Sequence, residues 1–115
     1  MAPRPIERIA IIGFGEVGGI FGRDFAKQRI AVSVFDILLA SKRHRKQMLA
    51  KARDCGVTAC DTFKECVRDA DLVISAVTAS SALDVARKAG KLLDTNQTFL
   101  DINSVSPATK RKAAN

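Results

Sequence analysis

Three glycines spaced as Gly13-Phe14-Gly15-Glu16-Val17-Gly18 can do one kind of chemistry well: they can present bare main-chain amides to a phosphate. The turn follows the apolar run Arg8-Ile9-Ala10-Ile11-Ile12 and precedes a helical stripe of Val17, Ile20, Phe21 and Phe25. That strand-turn-helix context separates a dinucleotide-binding G-x-G-x-x-G from glycines that merely make a turn. Gly13 permits the tight bend, Gly15 lets the backbone approach a pyrophosphate, and Gly18 lets helix and strand pack closely. Free N–H groups and the positive end of the helix dipole then face the two phosphates. The cofactor class implied is NAD or NADP, held by residues 13–18, with Phe14, Glu16 and Val17 contributing alongside the glycines.

Asp36 closes the second apolar run, about 20 residues past the glycines, where an acid can accept hydrogen bonds from the adenine ribose hydroxyls. A carboxylate there repels a 2′-phosphate and favours NAD over NADP. Lys42, Arg43 and Arg45 oppose this if residues 37–40 fold them back over the ribose. As a plain helix-cap or turn acid, Asp36 would touch no ligand. Ala76-Val77-Thr78 follows the fourth apolar run, at the sheet edge where such folds bind ligands, and is a further cofactor contact or a simple strand-to-helix turn. Asp101-Ile102-Asn103-Ser104-Val105-Ser106-Pro107 gathers amide and hydroxyl groups on the same edge, and Asn103 and Ser104 are the candidates for holding a small polar substrate.

The elements needed to position these groups can be read from periodicity. Short β-branched runs at 8–12, 31–35, 57–59, 72–76 and 98–102 alternate with helical stripes. The first helix ends near Gln28. The second spans Ser41 to Asp54 with Met48, Leu49, Ala52 and Cys55 on one side, and Gly56 closes it. Thr62-Phe63-Lys64-Glu65 fits a capping box. A fourth helix is expected to start near Ser81 and stop at Gly90, and a last one at Ser106-Pro107. Five strands joined by right-handed crossovers make a doubly wound α/β Rossmann sheet of order 3-2-1-4-5. Residues 1–115 read as one domain, with no linker or repeat.

Composition narrows the function classes. A hydrophobic fraction of 47% with 27% charged residues is that of a folded globular chain and argues against disorder. No apolar run reaches the roughly 20 residues of a membrane span, and Met1-Ala2-Pro3-Arg4-Pro5 lacks the core of a secretory signal, so a cytoplasmic location is expected. Cys55, Cys60 and Cys66 contain no C-x-x-C pair and read as free thiols, not metal ligands. The net charge of +7 raises nucleic acid as a partner, but there is no Trp or Tyr to stack bases. The basic stretch 42–46 is better explained as a solvated helix face, so no nucleic-acid or membrane partner is expected.

Three segments together resemble the N-terminal domain of the β-hydroxyacid dehydrogenases, the family of 6-phosphogluconate and 3-hydroxyisobutyrate dehydrogenases. They are Ile9 to Gly18, Asp69-Ala70-Asp71-Leu72-Val73-Ile74-Ser75-Ala76-Val77, and Leu100 to Pro107. The resemblance implies hydride transfer between nicotinamide cofactor and a β-hydroxy acid. It also implies a substrate carboxylate held at the D-x-S-T segment, where this chain has Asn103 and Ser104, and a general acid-base lysine on a separate helical domain through which the full-length protein dimerises. Residues 1–115 contain no counterpart of that domain, so these residues alone are expected to bind cofactor without turnover. The competing reading is a nucleotide-sensing module that regulates a partner and does no redox chemistry.

Overall fold

The computed structural model describes residues 5–102. β1 (Arg8–Ile12) is the centre of a five-stranded parallel sheet ordered β3-β2-β1-β4-β5, with β2 at Ala31–Phe35, β3 at Thr58–Ala59, β4 at Leu72–Ser75 and β5 at Thr98–Asp101. Ile9, Ala10, Ile11 and Ile12 are all buried, as a strand covered on both faces requires. Register places Ile12 between Phe35 of β2 and Ser75 of β4, so three strand ends finish level on one edge. β5 is the outer strand, with Thr98, Leu100 and Asp101 exposed. The expected strand order is borne out.

Helices cover both faces. α1 (Glu16–Lys27) and α2 (Lys42–Cys55) lie over Ile9, Ile11, Val34 and Ile74, with Phe25, Met48 and Ala52 turned to the sheet. α3 (Phe63–Val67) and α4 (Ala79–Leu92) cover Ala10, Ile12 and Val73 through Phe63, Cys66, Val85 and Ala89. Gly56 ends α2 with φ 75°, the left-handed cap expected from the sequence. The Thr62 hydroxyl opens α3 by accepting from the Glu65 amide at 3.1 Å.

Two expectations are corrected. α4 begins at Ala79 with Thr78 at its N-cap, one turn before Ser81, and it runs through Gly90 to Leu92. Leu93 N–H donates to the Ala89 carbonyl at 2.8 Å and holds that last turn, while the space beside Gly90 is open. A glycine there costs only helix propensity and does not stop the helix. Residues 37–40 also gain regular structure: they form one 3₁₀ turn, capped by Asp36. The helix expected at Ser106-Pro107 lies outside the described residues.

Candidate functional site

The glycine turn spans the level ends of β1, β2 and β4. Gly13 N–H donates to the Phe35 carbonyl at 2.8 Å, and Ala76 N–H donates to the Ile12 carbonyl at 2.7 Å, so both neighbouring strands hold it. Gly13 adopts φ 99°, and a β-carbon there would lie 2.7 Å from the Ala76 carbonyl oxygen and 3.0 Å from Val77 Cγ1. At Gly18 a β-carbon would overlap the Gly13 carbonyl oxygen. These two glycines are therefore demanded by packing. Gly15 is different: it is exposed, its φ is −83°, and nothing lies within 4 Å of where a β-carbon would be.

Gly15 is also the N-cap of α1, and no side chain caps that helix. Among the described residues the amides of Gly15, Glu16, Val17 and Gly18 have no main-chain acceptor. A helix start leaves such donors unsatisfied and concentrates positive potential on them. Gly15 and Glu16 are exposed and Val17 is half-buried, so the donors border solvent. Open space above Gly15, bordered by unpaired N–H groups, fits a diphosphate.

Phe14 turns its ring into the core and is 1% exposed, leaving only its main chain at the turn. Its amide donates to Asp36 Oδ2 at 2.7 Å, and Asp36 Oδ1 accepts from Leu38 N–H at 2.9 Å. Asp36 is thus both cap and clamp, tying the first turn to the end of β2, and each oxygen keeps a second lone pair. Arg45 does not fold over it. Its guanidinium donates to the Leu39 carbonyl at 3.0 Å and pairs with Asp61 at 2.8 Å. No cation pairs with Asp36 among the described residues.

The structure brings Gly13, Ala76 and Val77 into contact and leaves Thr78 exposed at the mouth, its hydroxyl 3.0 Å from the Ser80 hydroxyl. Asn103 and Ser104 lie outside the described residues. Ile102, just before them, donates its amide to the Ser75 carbonyl at 2.9 Å.

Lys51 is the residue the motif leaves out. Its ammonium donates to the carbonyls of Phe14 at 2.9 Å and Gly15 at 2.8 Å, and lies 4.6 Å from the centre of the Phe14 ring. Its sequence signal is a cation inside a core-facing stripe: Met48, Lys51, Ala52 and Cys55 share one side of α2. Elsewhere, Cys60 and Cys66 are both buried beneath β2. The Cys66 thiol donates to Cys60 and, with Ser33 and against burial, draws Cys60 down to about 7, whereas donation to Cys60 and burial push Cys66 far up. No group of His, Cys, Asp and Glu among the described residues could hold a metal, and no helix among them is long and apolar enough to cross a membrane.

The comparisons with known proteins agree with this geometry. A conserved hypothetical protein from Sinorhizobium meliloti superposes with a TM-score of 0.82 at 28% identity, over 97% of this chain and 38% of that one. An NAD+ dependent dismutase, 5-formyl-3-hydroxy-2-methylpyridine 4-carboxylic acid 5-dehydrogenase, gives 0.70 at 26% over 95% of this chain and 40% of that one. The likeness to the β-hydroxyacid dehydrogenases is borne out in the fold by Mycobacterium tuberculosis 3-hydroxyisobutyrate dehydrogenase, with a TM-score of 0.73 at 20% identity, over 94% of this chain and 35% of that one. In sequence, an uncharacterized 28.5 kDa protein in the 7S RNA 5′ region of Methanothermus fervidus is 39% identical over 105 residues, which is 91% of this chain and 39% of that protein. The chain therefore spans about two fifths of the relatives it matches. Residues 8–104 match the model of the NADP oxidoreductase, coenzyme F420-dependent, family, and the chain belongs to that family as an NAD(P)-binding Rossmann domain of oxidoreductase type.

Proposed function

We propose that residues 1–115 form the cofactor-binding unit of an NAD(P)-dependent oxidoreductase acting on a β-hydroxy acid or a related small substrate, with NAD preferred. The observation that carries this reading is the open space at Gly15 beside four unpaired amides. The amides of Gly15, Glu16, Val17 and Gly18 donate to the two phosphates, Gly13 and Phe14 shape the turn, and the remaining lone pairs of Asp36 accept from the adenine ribose. Ala76, Val77 and Thr78 flank the cofactor on the β4 side, and Asn103 and Ser104 contact the substrate. The bound nicotinamide supplies hydride transfer, and the chain's own groups bind and orient it.

NAD preference rests on charge. Asp36 stands at the end of β2 with no cation paired to it among the described residues, and Arg45 is engaged by the Leu39 carbonyl and Asp61. A 2′-phosphate brought there meets an uncompensated carboxylate. Cofactor binding and orientation, not proton transfer, is the role proposed for the 115-residue chain, because the β-hydroxyacid dehydrogenases carry their general acid-base lysine on a separate helical domain. Titration of that chain with NADH and NADPH tests the proposal. Saturable binding with NADH the tighter ligand is the expected result; absence of binding of either at millimolar concentration overturns the cofactor assignment, and tighter NADPH overturns the preference.

A further inference from the structure

Lys51 is separated by 37 residues from Phe14 and belongs to a different helix, yet its ammonium bonds two successive carbonyls of the glycine turn. A trans peptide is planar, with its C=O and N–H pointing to opposite sides; no peptide among the described residues is cis. The Phe14 carbonyl shares a peptide plane with the Gly15 amide, and the Gly15 carbonyl shares one with the Glu16 amide. The ammonium therefore sits behind the two peptide units whose N–H groups point away from it, and these are two of the four unpaired donors at the start of α1.

We infer that Lys51 is a positioning residue for the phosphate site: from behind the turn it fixes the planes of the 14–15 and 15–16 peptides and polarises them, so that the Gly15 and Glu16 amides are aimed and strengthened as donors to a diphosphate. The inference rests on the cofactor reading above and adds to it a residue outside the glycine motif. The bonds are short and charge-assisted, which makes them the strong kind. The position is also costly for a lysine used only as packing. It lies in the sheet-facing stripe of α2 between Met48, Ala52 and Cys55, where an apolar residue would dock the helix without immobilising a long charged side chain. The ammonium is held over the Phe14 ring at 4.6 Å, which fixes its approach to the two carbonyls.

Gly19 provides an independent handle. A β-carbon there would come within 2.9 Å of Lys51 Cε and 3.1 Å of Nζ, so Gly19→Ala displaces the end of a flexible side chain and leaves the main chain untouched. Alanine is the better helix former. A residue that merely held α2 to the turn would make stability and affinity fall together, whereas Gly19→Ala should lower affinity while thermal stability holds or rises.

The experiment measures dissociation constants of NADH and of ADP, with melting temperatures, for the wild-type chain and for Lys51→Met, Lys51→Arg and Gly19→Ala. Methionine keeps the stem and removes the donors; both ligands should bind about tenfold more weakly, because the Gly15 and Glu16 amides are no longer aimed and polarised toward the phosphates. Arginine, which can reach both carbonyls, should recover most of the affinity. Gly19→Ala should weaken both ligands with no fall in melting temperature, and it decides the matter if Lys51→Met does not fold. Wild-type binding with unchanged constants in Lys51→Met or, where that variant is unfolded, in Gly19→Ala overturns the role of Lys51 alone. No binding by the wild-type chain overturns the cofactor reading, and the role of Lys51 with it.

Discussion

Each end of β1 is fastened by an aspartate from a neighbouring segment, and only one end leads into a helix start with unpaired main-chain donors. At the start, Asp71 Oδ2 accepts from the amides of Glu7 at 2.9 Å and Arg8 at 3.0 Å. At the finish, Asp36 takes the amides of Phe14 and Leu38 at 2.7 and 2.9 Å. The device is the same: a carboxylate satisfies main-chain donors that the ladder leaves over. A polar groove lies at the start, lined by Arg8, Arg68, Asp71, Asn96 and Gln97, so concavity does not distinguish the ends. The difference is in what the chain does next. Beyond Ile12 it enters three glycines and a helix start with unpaired donors, and beyond Asp71 it enters β4, whose donors are used by its neighbours.

The largest expected effect comes from removing the packing glycine that exists at one end only. In Gly18→Ala the new methyl group meets the Gly13 carbonyl oxygen, backbone against helix, with no flexible atom to yield. We expect a loss of about 3 kcal/mol or more, or failure to fold, visible as a collapsed melting transition by circular dichroism. A variant that melts like the wild type would mean that α1 and β1 are not pressed together there.

The paired acids sharpen the comparison. Asp36→Ala and Asp71→Ala each strip acceptors from two amides and should each cost about 1–3 kcal/mol, with the part-buried Asp36 site the costlier. Their effects on NADH should diverge: roughly tenfold or greater weakening for Asp36→Ala, and unchanged affinity for Asp71→Ala in the folded protein. Equal losses would erase the distinction between the two ends. Asp36→Asn isolates the charge, since an amide oxygen still accepts one hydrogen bond; the ratio of NADPH to NADH affinity should rise, and an unchanged ratio would remove Asp36 from cofactor choice.

Much of this asymmetry is legible in the sequence, and the reasons differ by residue. Ile9 to Ile12 read as the central strand because a strand covered on both faces must be apolar throughout, and Gly13, Gly15 and Gly18 gain meaning from what precedes and follows them. The start of α4 is misplaced because Ser81 looks like a cap, while the chain turns into the helix at Thr78, three residues past the end of β4, and puts no side-chain bond on the helix start. Asp36 follows β2 as the sequence suggests, but its grip on the Phe14 amide, 22 residues away, is a through-space contact that no local pattern encodes. Lys51 escapes for a related reason. Helical periodicity marks apolar positions, and a lysine within the stripe is passed over even though its presence there is the anomaly.

The smallest structural change expected is also the most pointed test of the open end. Gly15 has no neighbour within 4 Å of a β-carbon and a φ of −83°, so alanine is accommodated sterically and conformationally. At an N-cap, alanine in place of glycine should shift stability by no more than about 1 kcal/mol. The same methyl group stands where a diphosphate must approach the amides of Glu16 and Val17, so NADH affinity should fall by about tenfold or more. Stability and binding are thereby separated at a single atom. If Gly15→Ala bound NADH as tightly as the wild type by calorimetry, the space above the turn would not be where the phosphates sit, and the finish of β1 would be no more specialised than its start.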